Sequence, residues 1–215
     1  MKNIETRQFD VSQHEFRAFE DASTGNKYIS GYAAVYNVSS RLLSTDGVKF
    51  IEEIEKGSFR NILDTNPDVI YNFNHDNNKV FARTSSGTLT LTEDEVGLRF
   101  VAQIDTNISE ANDLYLRIKR GDISENSFAF KTSGANQELK RIKQDGEKII
   151  KRTIKGFDAL FDVSSVTKAA YPETSLDVRS LEDQIKPSIN KTNQNTLSDK
   201  ERLDMEIRLK IRDIK

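Results

Sequence analysis

Between residues 69 and 104 the sequence alternates short runs of branched and aromatic residues with turn-forming residues. The runs cover 69–73, 79–83, 88–92 and 98–104, and Gly87 lies in a turn between two of them. They recur at intervals of about 8 to 12 residues, which is the spacing of strands in β-sandwiches and β-barrels. This spacing constrains the fold more than any other feature and predicts a mainly β domain.

Further strands and a hairpin are predicted on either side of this region. A leading strand is expected around Phe16, and the next covers 28–36, where Gly31 indicates a bulge or close packing. Residues 37–47 are predicted to form a polar loop. On the other side lies a strand that begins near Ser127. A charged hairpin over 138–155, which turns at Asp145-Gly146, and a last strand over 157–166 follow it.

Two helices complete the predicted fold, which is mainly β with peripheral helices (α+β). A short helix or helical turn is expected over 57–63. A longer helix is predicted from Ser109, its expected N-cap, to the residue before Gly121. One face of that helix is apolar at helical spacing. The residues on this face are Ala111, Leu114, Tyr115 and Ile118.

Composition divides the chain near residue 178. No aromatic residue follows Tyr171 and no glycine follows Gly156. We therefore predict a domain over 1–178 and, over 179–215, a polar linker with an amphipathic tail. Residues 203–211 also alternate as a strand would, but the stripe of apolar residues favours a helix. The stripe consists of Leu203, Ile207, Ile211 and Ile214.

The residue totals exclude several classes of function. The chain has 215 residues, with 32 basic and 34 acidic side chains, so no bulk charge attracts nucleic acid or an anionic membrane. It has no cysteine and only two histidines, which excludes thiolate chemistry and argues against a metal site. No cofactor is expected. Neither a signal peptide nor an apolar stretch of about 20 residues occurs, so we expect a soluble intracellular protein.

Two polar side chains at the ends of predicted strands have the chemistry of a hydrolase. His75 follows the strand 69–73 and has the intrinsic pKa of a general base, whereas Ser127 offers a hydroxyl nucleophile. Asp162 lies between apolar neighbours, where a carboxylate needs a partner such as an imidazole N–H. Asp158 and Asp76 are alternatives for that third role. Each residue taken alone is also consistent with an ordinary structural position.

An ordered set of short motifs resembles the prohead (procapsid maturation) serine proteases of tailed phages. The resemblance covers roughly residues 28 to 176. Ala129 stands where the family often has glycine, and Ala169 where it often has proline. The motifs are Gly31-Tyr-Ala, the segment 50–59, Asn74-His75-Asp76, Arg83-Thr-Ser-Ser-Gly-Thr-Leu, Gly97-Leu, Ser127-Phe-Ala-Phe and Phe161-Asp162-Val-Ser-Ser-Val-Thr.

The resemblance implies both a fold and an activity. The fold would be similar to that of the herpesvirus assemblins, a small closed β-barrel surrounded by short helices. The activity would be that of a serine endopeptidase with His75 as general base, Ser127 as nucleophile and Asp162 as third member. The alternative is a non-catalytic capsid-assembly or scaffold-binding protein on the same fold. A generic β-barrel binding domain is a third possibility.

The same resemblance implies where such an enzyme acts and on what. Its substrates would be scaffold segments or the delta domain of the major capsid protein. It would also cleave itself and self-associate. Neither nucleic acid nor membrane is an expected partner. The place of action would be the assembling procapsid in the host cytoplasm, with the gene carried by a phage or prophage. The tail 179–215 would be a self-cleaved or scaffold-like extension.

Overall fold

The computed structural model describes residues 4–9, 15–40, 42–45 and 48–167 of the chain. These residues form thirteen strands and two α-helices. The strands are β1 Glu5–Phe9, β2 Arg17–Glu20, β3 Lys27–Val35, β4 Leu43–Thr45, β5 Val48–Ile54, β6 Ile70–Phe73, β7 Ala82–Arg83, β8 Leu89–Glu93, β9 Gly97–Ile104, β10 Glu125–Lys131, β11 Gln137–Gln144, β12 Glu147–Ile154 and β13 Ala159–Val166. The helices are α1 Arg60–Leu63 and α2 Ser109–Arg120, and a 3-10 turn covers Gly134–Asn136.

The strands pair into three sheets. The first, which we call the site sheet, has the order β1-β10-β13-β6-β7. The second has the order β11-β12-β5-β4 and the third β2-β3-β9-β8. The prediction of a mainly β fold with few helices is confirmed. No pairing within the described ranges closes any of these sheets on itself, so the closed β-barrel is not confirmed.

Helix α2 follows the predicted pattern except at its first residue. The four residues of its predicted apolar face are all buried. Gly121 ends the helix in the left-handed conformation at φ 86°, which glycine adopts without steric cost. At the other end the N-cap is Ile108 rather than Ser109, and no side chain caps the helix. Ser109 is instead the first helical residue.

Turns and close packing in the strands also agree with the sequence. Asp145 and Gly146 both have positive φ, as a two-residue hairpin turn requires, and join β11 to β12. A Cβ placed on Gly31 would come within 2.8 Å of the Phe16 ring, so this glycine permits close packing. The bulge in that strand lies further along, between Tyr32 and Ala34.

Phenylalanine rings from β10 and its neighbours form the centre of the core. The rings of Phe59 and Phe157 stack at 4.3 Å between centroids, and those of Phe128 and Phe130 at 4.8 Å. Phe128 and Phe130 are fully buried and lie on one face of β10. Because side chains alternate along a strand, Ser127 is directed to the opposite face of the same strand.

A buried cluster of four charged residues, the ion quartet, joins the site sheet to the second sheet. It consists of Glu5 and Arg7 on β1, Glu52 on β5 and Arg152 on β12, each at most 6% exposed. Arg152 Nη1 lies 2.6 Å from Glu5 Oε2 and 2.7 Å from Glu52 Oε2, and Arg7 contacts both carboxylates. Burial alone would raise the pKa of Glu52, but the two guanidiniums outweigh it and hold this pKa below its ordinary value.

Replacing Arg152 with alanine is expected to destabilise the fold by about 3–5 kcal/mol, because two buried carboxylates then share one guanidinium. Urea unfolding measures this loss. Lys148→Ala removes the same charge from an exposed position on the same strand and should change stability by no more than about 0.5 kcal/mol. An equal loss in both variants would contradict an essential ion quartet.

Four parts of the described chain differ from the sequence prediction. Strand β1 was not predicted at all, β4 lies within the predicted loop 37–47, and β5 was not identified as a strand. The predicted strand 79–83 is only two residues long, as β7. The boundary near residue 178, the tail 179–215 and Ala169 lie outside the described residues and remain predictions.

Candidate active site

Ser127 lies on β10, between two strands of the site sheet. It is opposite Gln8 of β1 on one side and Ser164 of β13 on the other. The residue is 2% exposed. The packing of Phe128 and Phe130 into the core fixes the face on which the Ser127 hydroxyl projects. The position of this hydroxyl therefore follows from the alternation in Ser-Phe-Ala-Phe.

His75 lies in a tight turn directly after β6. Asn74 and His75 have φ of 51° and 57°, and the Asp76 N–H donates to the Phe73 carbonyl at 3.1 Å. Two consecutive residues with positive φ define a type I′ turn. Among the described non-glycine residues with positive φ, His75 is the one that is neither asparagine nor aspartate. The left-handed conformation costs such a residue roughly 1–2 kcal/mol, so the surrounding contacts must hold it.

Asp162 lies on β13, which pairs in parallel with β6 and antiparallel with β10. A bulge in β13 places Asp162 opposite Ala129 and Leu160 opposite Phe130, so Phe161 between them is unpaired. The carboxylate is 5% exposed and its Oδ1 lies 2.7 Å from His75 Nδ1.

The two alternative acids are engaged elsewhere. Asp76 Oδ1 accepts the Asn78 backbone N–H at 3.0 Å, within its own loop. Asp158 Oδ1 accepts hydrogen bonds from Asn136 Nδ2 at 2.8 Å and from the Ser133 hydroxyl at 3.2 Å. Asp162 is thus the one of the three candidates that contacts the imidazole.

The three predicted site residues form a continuous chain of hydrogen bonds. His75 Nε2 lies 2.7 Å from Ser127 Oγ, while Nδ1 faces Asp162. With its proton on Nδ1, the ring donates to Asp162, and Nε2 accepts the Ser127 hydroxyl proton. This is the arrangement in which a general base activates a hydroxyl and a carboxylate orients the base.

The Ser127 hydroxyl has a second acceptor on β1. Its Oγ lies 2.8 Å from the Arg7 carbonyl oxygen, nearly as close as His75 Nε2. A hydroxyl has one proton and donates it fully to one acceptor at a time. The Arg7 carbonyl therefore competes with His75 Nε2 for this proton. The Arg7 side chain belongs to the ion quartet, so its ion pairs with Glu5 and Glu52 hold this residue, and with it the carbonyl oxygen, in place.

A second polar network lies on the core side of the same strands. The Tyr71 hydroxyl lies 2.5 Å from Ser165 Oγ, which donates to Asn126 Oδ1 at 3.3 Å. Burial raises the pKa of Tyr71 above its usual value, against the lowering by the Ser165 hydrogen bond, so the phenol stays neutral. Asn126 Nδ2 donates to the Tyr32 carbonyl at 3.3 Å. This network ties β10 to β13, β6 and β3 without reaching the triad.

Two contacts of the site were not predicted from the sequence: the Ser164 hydroxyl at the His75 N–H and the Arg7 carbonyl at the Ser127 hydroxyl. Ser164 lies two residues after Asp162 and therefore on the same face of β13, so the strand alternation alone could have drawn attention to it. The Arg7 contact uses a backbone carbonyl, which no residue pattern reveals.

Within the described ranges no group of three His, Asp or Glu residues is arranged to hold a metal ion. No helix there is long and apolar enough to cross a membrane.

Comparison with known proteins gives one family and one related structure. The sequence profile of the caudovirus prohead serine proteases matches residues 12–188. The capsid assembly protease of bacteriophage T4 is similar in structure at a TM-score of 0.46 and 11% identity, over 78% of this chain and 100% of that chain. No curated protein sequence matches the chain.

Proposed function

The chain belongs to the caudovirus prohead serine protease family, and from that premise we propose that it is an endopeptidase with Ser127, His75 and Asp162 as its catalytic triad. The hydrogen-bond chain from Asp162 through His75 to Ser127 is the observation that carries the proposal. Both distances are 2.7 Å, within the range of a general base that can act on a hydroxyl.

The proposed reaction is acyl transfer in two steps. Ser127 Oγ attacks the peptide carbonyl while its proton moves to His75 Nε2, and Asp162 stabilises the imidazolium. Nε2 then gives that proton to the departing amine as the C–N bond breaks. A water molecule attacks the acyl-enzyme and passes a proton to Nε2, which returns it to Ser127. The charge on the carbonyl oxygen is stabilised by N–H donors.

The proposed substrates are the proteins of the assembling procapsid. They are scaffold segments or the delta domain of the major capsid protein, and the chain itself. The place of action is the procapsid within the host cytoplasm. The family assignment supports a protease of phage assembly, whereas the choice of substrate and self-cleavage are proposals. Self-cleavage would act on the tail 179–215.

Co-expression with the major capsid protein of the same phage tests this function. The wild-type chain should shorten the capsid protein, the 215-residue chain or both, and intact mass spectrometry should locate the cut sites. The Ser127→Ala variant should leave both proteins intact because it lacks the nucleophile. If assembled procapsids contained uncleaved proteins with the wild-type chain as well as with Ser127→Ala, the proposed protease would be contradicted and a non-catalytic assembly protein favoured.

A further inference from the structure

Ser164 lies directly beneath the triad. It pairs with Ser127 of β10 on one side and with Asn72 of β6 on the other, and it is fully buried. Because it is two residues from Asp162 on the same strand, both side chains lie on the face that carries the site. The Ser164 hydroxyl is thus the polar group of β13 nearest in register to the nucleophile.

The Ser164 hydroxyl holds the backbone of His75. Its Oγ accepts the His75 N–H at 3.0 Å. The proton of the same hydroxyl faces the carbonyls of Asn72 and Ser165, each at 3.4 Å. The neighbouring Asn74 is also bound to the end of β13, through its N–H to the Ser165 carbonyl and its Oδ1 to the Thr167 N–H. Of these contacts, the Ser164 bond is the one that holds the backbone N–H of His75.

His75 is thereby held at three points, one on its backbone and two on its ring. Ser164 binds the backbone N–H, Asp162 binds Nδ1 and Ser127 binds Nε2. The backbone at His75 is left-handed, a conformation that a histidine adopts only when its surroundings impose it. Loss of the Ser164 acceptor would leave the N–H of this residue without a partner and let the turn shift.

We propose that Ser164 is a positioning residue of the protease: its hydroxyl holds His75 in the left-handed turn so that the imidazole reaches Asp162 and Ser127 together. This inference rests on the proposed function. Ser164 does not contact the reacting atoms, and it acts through His75. A displacement of the base by about 1 Å is enough to cost on the order of 100-fold in rate.

The adjacent Ser165 provides a matched control. It is equally buried on the same strand, but its hydroxyl binds Tyr71 on the core side. Ser164→Ala and Ser165→Ala each remove one buried hydroxyl, so both should lose stability to a similar extent in urea unfolding. Only the first change removes a contact of His75.

Reaction with diisopropyl fluorophosphate measures the reactivity of the Ser127 hydroxyl and requires no known substrate. Ser127 Oγ forms a bond to phosphorus, fluoride leaves, and the hydroxyl proton passes to His75. Intact mass followed over time gives the rate. We expect Ser164→Ala to react about 10- to 100-fold more slowly than the wild type and Ser165→Ala to react at the wild-type rate. Equal rates in the two variants would overturn the inference.

Nuclear magnetic resonance of ¹⁵N-labelled histidine gives a readout independent of reactivity. In a His14→Gln background, only the His75 ring is observed. Its Nδ1–H proton should exchange with water faster in Ser164→Ala than in Ser165→Ala. If Ser164→Ala does not fold, Ser164→Cys keeps the shape of the side chain and replaces the oxygen by sulfur, a weak acceptor, with Ser165→Cys as its control.

The two proposals fail in distinguishable ways. A wild-type protein that does not react at Ser127 contradicts the proposed protease. Reaction at Ser127 with no difference between the two serine variants contradicts the role of Ser164 alone. A His75 Nδ1–H that exchanges equally slowly in both variants overturns the positioning role whether or not the reagent reacts.

Discussion

Replacing Ser127 with alanine is expected to lower the rate of capsid-protein cleavage on the order of 10⁴-fold or more. The hydroxyl is the only group in the chain of hydrogen bonds that can form an acyl-enzyme, so its loss leaves His75 with no nucleophile to activate. The fold should survive because alanine fits a site that held a serine. The measurement is cleavage of purified capsid protein over time, followed by mass spectrometry.

A matched control for this prediction is Ser58→Ala. Ser58 is also a buried serine, at 4% exposure against 2% for Ser127, and it lies in the turn between β5 and α1. Its substitution should leave the cleavage rate unchanged. If Ser127→Ala cleaved as fast as Ser58→Ala, another residue would have to be the nucleophile. A slow rate in both would indicate damage to the fold instead.

The second large effect is expected for Asp162→Asn, again on the order of 10⁴-fold in rate. An amide NH₂ directed at His75 Nδ1 favours the tautomer that carries its proton on Nε2, and that tautomer cannot accept the Ser127 proton. The amide also lacks the charge that stabilises the imidazolium. The fluorophosphate reaction and capsid-protein cleavage should both slow.

Asp158→Asn is the control for that variant. Asp158 was an alternative third member in the sequence prediction, and its carboxylate binds Ser133 and Asn136 rather than His75. Its amide variant should cleave at the wild-type rate. The opposite pattern, with loss of activity in Asp158→Asn alone, would replace Asp162 by Asp158 in the mechanism.

The three site residues were predicted mainly because their motifs resemble those of the prohead proteases, since each residue taken alone is also consistent with an ordinary structural position. The alternation in Ser127-Phe-Ala-Phe places the serine opposite two core rings, and Asp162 stands out between Phe161 and Val163. His75 follows a strand in a turn rich in asparagine, which suits left-handed backbone. These local patterns of period two and of turn chemistry are visible without the fold, but they do not by themselves identify a catalytic site.

The rest of the site and fold depends on contacts between distant residues. Strand β1 begins with Glu5, Thr6 and Arg7, which predict an exposed segment, but its charges are buried because Glu52 and Arg152 neutralise them. No local pattern contains that pairing. Similarly, Asp162 rather than Asp158 contacts the imidazole because the pairing of β13 with β10 and β6 brings it beside His75.

The order of the proposed triad along the chain determines when the proposed activity could first arise. His75 is 52 residues from Ser127 and 87 from Asp162, and the acid lies on β13, the last of the described strands. During synthesis on the ribosome, a chain that has not yet reached residue 159 has a base and a hydroxyl but no acid. Pairings over such long separations also form slowly. With the proposed triad, emerging and unfinished chains are therefore expected to be inactive until β13 has been made and has paired with β10 and β6.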